Sequence, residues 1–371
     1  MTPHTNDGGI PMTAVAETTQ ANPLNETKLN ELLGRFVTDF GAAVQAPLIV
    51  IGHELGLYRA LGEGAATTSD LAERTGTAER YVREWARSLA AGGYVTYDAS
   101  SDRYSLSPEQ ALVFDQDGPA FIVGGFEVAL AAAKALPRAL GAFRDGGGVA
   151  WHEHDARLFS GTAAFFAGGY RMNLVQNWIP ALDGMLEKLE AGARVADIGC
   201  GHGISTLLMA QAFPASTFFG FDYHEESLEV ARTDARNAGA GERVRFVRAT
   251  ATDYPGRAYE LITMFDCLHD LGDPLAALVH ARQAIADDGV VMIVEPRAGN
   301  SVEENLHPVG RAFYSASTLF CTPNSLSQDG RHGLGAQAGE AAVRELAGAA
   351  GFSRFRTAAQ TPFNLIFELR P

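Results

Sequence analysis

Apolar and polar positions follow two rhythms along this chain. In the first half, apolar residues recur at helical spacing: Leu29, Leu32, Leu33, Phe36, Val37 and Phe40 share one face, and a second apolar helix continues through Pro47 to Leu61. A short helix over Thr68–Gly76 opens on hydroxyl and carboxylate residues and closes at a glycine, and a longer one runs from Ala78 to Ala91. Gly92-Gly93-Tyr94-Val95 then breaks into a hairpin with its tip at Asp98 to Asp102 and a return strand over Arg103 to Leu106. Residues 118–190 read as helical with a break at Asp145-Gly146-Gly147-Gly148, and Trp151, Phe159, Phe165, Phe166, Tyr170 and Trp178 crowd the second part.

From Arg194 onward the rhythm changes to short unbroken apolar runs separated by helical stretches. Strands are expected at 194–198, 217–222, 244–247, 259–266 and 290–295, with two more around Phe355 and over 364–369. Alternation at this pace means an α/β fold: a doubly wound, Rossmann-like parallel sheet, seven-stranded once the closing pair is counted, behind an N-terminal, mostly helical domain. Ligands of such sheets lie at the carboxyl ends of the strands, where Gly199, Asp222, Thr250, Phe265 and Glu295 fall. The 44 residues of 296–339 form a long insertion between two core elements, and its aromatic content suits a lid. The expected organisation is a tail over 1–25, a helix-turn-helix domain with a two-stranded wing over 26–117, a helical linker and cap over 118–190, and the sheet domain over 191–371.

Composition narrows the partners. The chain has 371 residues, 46% of them apolar, and a net charge of −15, which disfavours work on nucleic-acid phosphate. The second helix of the winged domain carries Arg80, Arg83 and Arg87, yet residues 51–115 hold ten Asp or Glu against six Arg or Lys, the wrong sign for a DNA-facing module. Cys200, Cys267 and Cys321 lie far apart without Cys-x-x-Cys spacing, so neither disulfides nor a zinc ribbon is expected and a cytoplasmic setting fits. No run approaches the ~18 apolar residues of a membrane span, and residues 1–27 lack the Lys or Arg of a leader peptide.

The chemistry centres on Arg194-Val-Ala-Asp-Ile-Gly-Cys-Gly-His-Gly203. Three glycines at alternate positions turn a buried strand sharply into a helix. A dinucleotide fingerprint would need another glycine where Ile204 stands, and a P-loop would need a Gly-Lys-Ser/Thr that is missing. With Asp197 ahead of Gly199, Gly201 and Gly203, the stretch resembles motif I of the class I S-adenosylmethionine (SAM) methyltransferases. That resemblance implies that Asp197 serves the cationic amino-acid end of the cofactor and that the glycines admit its backbone. Asp222 ends the second strand 23 residues beyond Gly199, near the ~20-residue interval at which an acidic strand end meets ribose hydroxyls in related sheets; Tyr223 follows it. Where that family commonly places Gly-Asp against adenine, this chain has Ala249-Thr250, leaving the contact to Thr250, Ala251 and Thr252. Phe265 and Asp266 complete the expected cofactor wall.

The whole of 27–371 is similar to bacterial winged-helix methyltransferases, in layout also to plant and bacterial small-molecule O-methyltransferases, which are dimers through the N-terminal domain. The resemblance implies a homodimer, a small and partly aromatic acceptor, S-adenosylhomocysteine (SAH) as product, and a His-Asp pair after the fourth strand as catalytic base. His269-Asp270 stand at that place. A phenol or alcohol needs a base before it attacks a sulfonium methyl, and His suits the task near neutral pH; an amine or carboxylate acceptor would need none. Glu295 and His307 are the other acid–base candidates. Tyr170, Asn173, Trp178, His307 and Tyr314 are the expected acceptor contacts, and no His-x-x-x-His pair or carboxylate triad calls for a metal. Two rival readings stand beside O-methylation: methyl transfer to nitrogen or carboxylate without a base, and a SAM-sensing transcriptional regulator.

Overall fold

The computed structural model describes residues 24–371, so the expected tail lies almost wholly outside the described residues. The chain divides into a unit ending at Val44 and a second unit, Gln45–Pro371. The helix Glu26–Glu54 runs unbroken where two helices were expected, with Pro47 inside it. In the first unit its side chains Leu32, Leu33, Phe36, Val37 and Phe40 are exposed. By length and apolar content this helix could cross a bilayer, which corrects the expectation that no stretch approaches that size. Its later residues Ala46, Ile49, Val50 and Gly52 are buried in protein, and the Trp85 indole donates to the Leu48 carbonyl at 2.9 Å.

The second unit opens with the winged helix. Its helix Thr68–Thr75 begins at a reciprocal cap in which Thr67 Oγ1 accepts from the Asp70 amide and Asp70 accepts from the Thr67 amide. The helix Glu79–Ala91 and the hairpin of β1 (Thr96–Asp98) and β2 (Arg103–Ser105) follow as the sequence indicates. Two long helices, Val123–Asp145 and Ala156–Asn173, then cross with their backbones in contact. A Cβ placed on Gly124 would sit 2.6 Å from the Gly161 carbonyl oxygen, and one on Gly161 would sit 2.8 Å from the Gly124 oxygen.

The sheet comprises β3 (Arg194–Ile198), β4 (Thr217–Asp222), β5 (Val244–Arg248), β6 (Tyr259–Phe265), β7 (Ile285–Pro296), β8 (Arg354–Gln360) and β9 (Asn364–Arg370) in the order β5-β4-β3-β6-β7-β9-β8. The first five run parallel, and β9 inserts antiparallel between β7 and β8. Val290 to Val294 are fully buried, as both faces of a helix-covered parallel sheet must be. This topology gathers Gly199, Asp222, Asp266 and Glu295 along one edge. The 296–339 insertion is largely ordered into helices Pro308–Ala316 and Thr322–Ser327, joined by a wider helical turn at Ser317–Cys321.

Candidate active site

The β3 loop takes all three glycines through positive φ, with Gly203 at 75°. A Cβ there would meet the Phe246 ring at 2.5 Å, so both conformation and space demand glycine. Asp197 does not reach the cavity that this loop borders. Its carboxylate is buried and accepts hydrogen bonds from Ser205 (2.7 Å), Thr206 (2.6 Å) and Thr263 (2.8 Å), tying the following helix to β6. This corrects its assignment to the cofactor: a buried carboxylate needs internal donors, and three hydroxyls already supply them.

Asp222 lies on the cavity wall. Its two oxygens accept from the Gly201 amide and the His224 amide, each at 2.9 Å, which fixes the carboxylate while leaving lone pairs for vicinal hydroxyls. Burial raises its pKa above the ordinary carboxylate range, against those amides. Tyr223, Ala249 and Ala251 continue the wall. Thr250 and Thr252 do not line it; Thr250 Oγ1 donates to Asp253 and the two hydroxyls pair with each other in an exposed loop.

Across the cavity, Asp266 sits at φ 49°, an unusual backbone for a non-glycine residue. Its carboxylate accepts from the Tyr170 hydroxyl (2.8 Å) and from Asn364 Nδ2 (3.0 Å). Burial, reinforced by the nearby charge of Glu295, pushes its pKa up to about 7. Phe265 and Tyr170 also face the cavity, whereas Trp178 is core behind them, in ring contact with both.

His269 is buried on the cavity wall between two carboxylates. Nδ1 lies 2.6 Å from Glu295 Oε2, and Nε2 lies 3.3 Å from Asp270 Oδ1. Glu295 at the end of β7 is thus the closer carboxylate to the ring, with Asp270 beside the other nitrogen. Burial alone would lower the imidazole pKa; Glu295 and then Asp270 outweigh it and hold the pKa well above the usual value. Cys321, from the insertion, is hydrogen-bonded to the same pair.

The cavity has a volume of about 620 Å³. The half away from Asp222 is apolar, walled by Val128, Phe159, Phe165 and Phe166 from the two crossing helices and by Phe313 and Phe320 from the insertion. Of the five expected acceptor contacts only Tyr170 lies on the wall; besides Trp178, three more lie elsewhere. Asn173 bonds back to Gly169 within its own helix, His307 accepts from the Gly310 amide as a helix cap, and Tyr314 is not on the wall. Gly203 also stands behind the wall, as a packing residue. Sequence reasoning missed Asn324 and Asn364, which carry no local motif and reach the site only through the fold.

Known proteins match both parts of the chain. Residues 170–328 match the family model of a methyltransferase domain, and residues 42–115 match an Rv2258c-like winged helix-turn-helix domain. The chain carries a class I SAM-dependent methyltransferase domain behind a winged helix. Over 114 residues the chain is 37% identical to the ubiquinone biosynthesis O-methyltransferase of Bordetella bronchiseptica (strain ATCC BAA-588 / NCTC 13252 / RB50), a match covering 30% of the chain and 44% of that protein. The chain thus spans less than half the length of that curated relative. Among solved structures, mitomycin 7-O-methyltransferase MmcR superposes with a TM-score of 0.66 at 20% identity, covering 93% of this chain and 100% of that one. PigF, solved with SAH, gives 0.65 at 19% identity, covering 94% and 100%. On the cavity wall, Asp222, the glycine-loop backbone and Tyr223 offer a donor and acceptor set that fits a ribosyl cofactor.

Proposed function

We propose that the methyltransferase transfers a methyl group to a hydroxyl oxygen of a small, ring-bearing acceptor, with His269 taking the acceptor's proton. The observation that carries this reading is the place of His269: on the wall of the cofactor cavity, its Nδ1 held 2.6 Å from Glu295. Bound SAM supplies the electrophilic methyl group. Glu295 fixes the ring and tautomer, leaving Nε2 to receive a proton, and the two carboxylates stabilise the imidazolium that results. The apolar half orients the acceptor and keeps water away.

The winged helix supports the same reading. Arg80 and Arg87 lie 2.6 and 3.9 Å from Glu84, and Arg83 lies 2.8 Å from Glu79, so the positive face that would meet DNA is already neutralised. The exposed apolar side chains of residues 29–40 are suited to a second copy of the chain, which makes a homodimer the expected assembly.

The test is His269→Gln, assayed with radiolabelled SAM on a panel of phenols, aromatic amines and aromatic acids. Loss of about 10²–10⁴ in kcat on phenols, with SAH binding retained, is the expected result for a general base. Phenol turnover near the parent rate would overturn the assignment. Transfer confined to amines or carboxylates would replace it with the base-free reading.

A further inference from the structure

We infer that the acceptor is an aromatic without anionic groups that brings a second hydrogen-bond donor beside the hydroxyl to be methylated. This rests on the methyl-transfer reading and deepens it. Among the described residues lining the cavity there is no Lys or Arg, while Asp222, Asp266 and Asp270 all face it. The cofactor, with two cationic centres and one carboxylate, suits such a wall. An acceptor carrying its own carboxylate would be desolvated beside three acidic groups with no Lys or Arg to offset them, and the cationic centres of the site, His269 and the cofactor, are already matched by those acids.

The polar corner next to His269 adds the second requirement, because its unused capacity is for accepting. Asn324 is buried on the wall; its Nδ2 donates to the Asp270 carbonyl at 3.4 Å, and its Oδ1 has no partner. Asp270 Oδ1 is also buried and accepts no hydrogen bond, but it faces His269 Nε2 at 3.3 Å, so Asn324 Oδ1 is the acceptor left to the ligand. The neighbouring Gln328 amide is fully engaged, donating to the Asp270 and Asn324 carbonyls and accepting from the Gly272 amide. A buried acceptor left unmatched is costly, so a ligand donor that reaches Asn324 gains selectivity over an analogue in which that hydrogen is missing.

Three ring-matched probes test the inference by calorimetry on the SAH-loaded protein at pH 8: a naphthalenediol, its monomethyl ether and a hydroxynaphthoic acid. The diol is expected to bind about ten-fold or more tightly than either of the others, the scale of one buried hydrogen bond. Asn324→Leu is expected to bring the diol down to the affinity of the ether while leaving the ether and SAH unchanged. Equal binding of diol and ether by the parent protein, binding of the acid as tight as the diol, or failure of all three to bind the SAH-loaded protein would each overturn it. Those outcomes need no variant. Failure to bind SAH at all would sink the methyl-transfer reading together with this one, whereas SAH binding without diol preference sinks this inference alone.

Discussion

Replacing Glu295 by Gln isolates the charge that holds His269. Gln keeps the shape and can still accept from Nδ1, but a charge-assisted bond at 2.6 Å becomes a neutral one. Charged hydrogen bonds contribute about 1.5–3 kcal/mol and neutral ones about 0.5–1.5, so the imidazolium loses roughly 1–1.5 kcal/mol relative to the neutral ring. The neutral ring is the base, and the folded pKa lies well above 6.5. In the parent, kcat/KM should therefore climb with pH through and above neutrality. In Glu295→Gln the climb should shift to lower pH, and the plateau should fall by about five- to ten-fold because a weaker base remains. Stability gives an independent readout. A raised histidine pKa contributes stability that is complete below the unfolded value of about 6.5 and is lost as pH rises through the folded value, so the variant should lose it earlier and lose less. A pH–rate midpoint that stays in place, or moves upward, would refute the reasoning. Glu295→Ala, which strands the imidazolium, should cost about 3–5 kcal/mol of stability.

Asp222→Ala should weaken SAH binding by about 1.5–3 kcal/mol in calorimetry, because the fixed carboxylate is then missing from the ribose. Gly203→Ala, at φ 75° and with the Phe246 ring 2.5 Å from the new Cβ, should lose about 2–4 kcal/mol in urea denaturation. Asp266, pushed up to about 7 from 3.8, stabilises the fold in acid and loses that contribution as pH rises towards 7. Asp266→Asn should flatten that decline in a stability–pH series and weaken cationic SAM more than SAH.

Features written in local sequence were legible. The glycine loop needs backbone freedom at particular positions, and Asp222 follows from strand spacing, so both were found along with the strands they end. Asp197 was placed by motif, but its role depends on Ser205, Thr206 and Thr263, and only the β3–β6 register brings the last of these beside it. His269 was found and paired with Asp270 by resemblance alone, with Glu295 as another acid–base candidate; the end of β7, which only the sheet brings alongside, makes Glu295 the closer carboxylate. Trp178, Tyr314 and Asn173 were chosen for chemistry on helices whose facing was not encoded locally. Two apolar helices were expected, with Pro47 inside the second; the first instead runs unbroken through the proline to Glu54, because a continuous apolar pattern does not mark where one helix would hand over to the next.

The backbone contact between Gly124 and Gly161 bears on how this enzyme could change its substrate over time. Helices locked that closely offer little room to slide apart, so the chamber is a rigid mould. Ala129, Ala132 and Ala163 line it with small side chains. Enlarging any of them would recarve the chamber without disturbing the scaffold or the cofactor edge, so new acceptor preferences lie one substitution away, while the glycine pair itself has little freedom to vary.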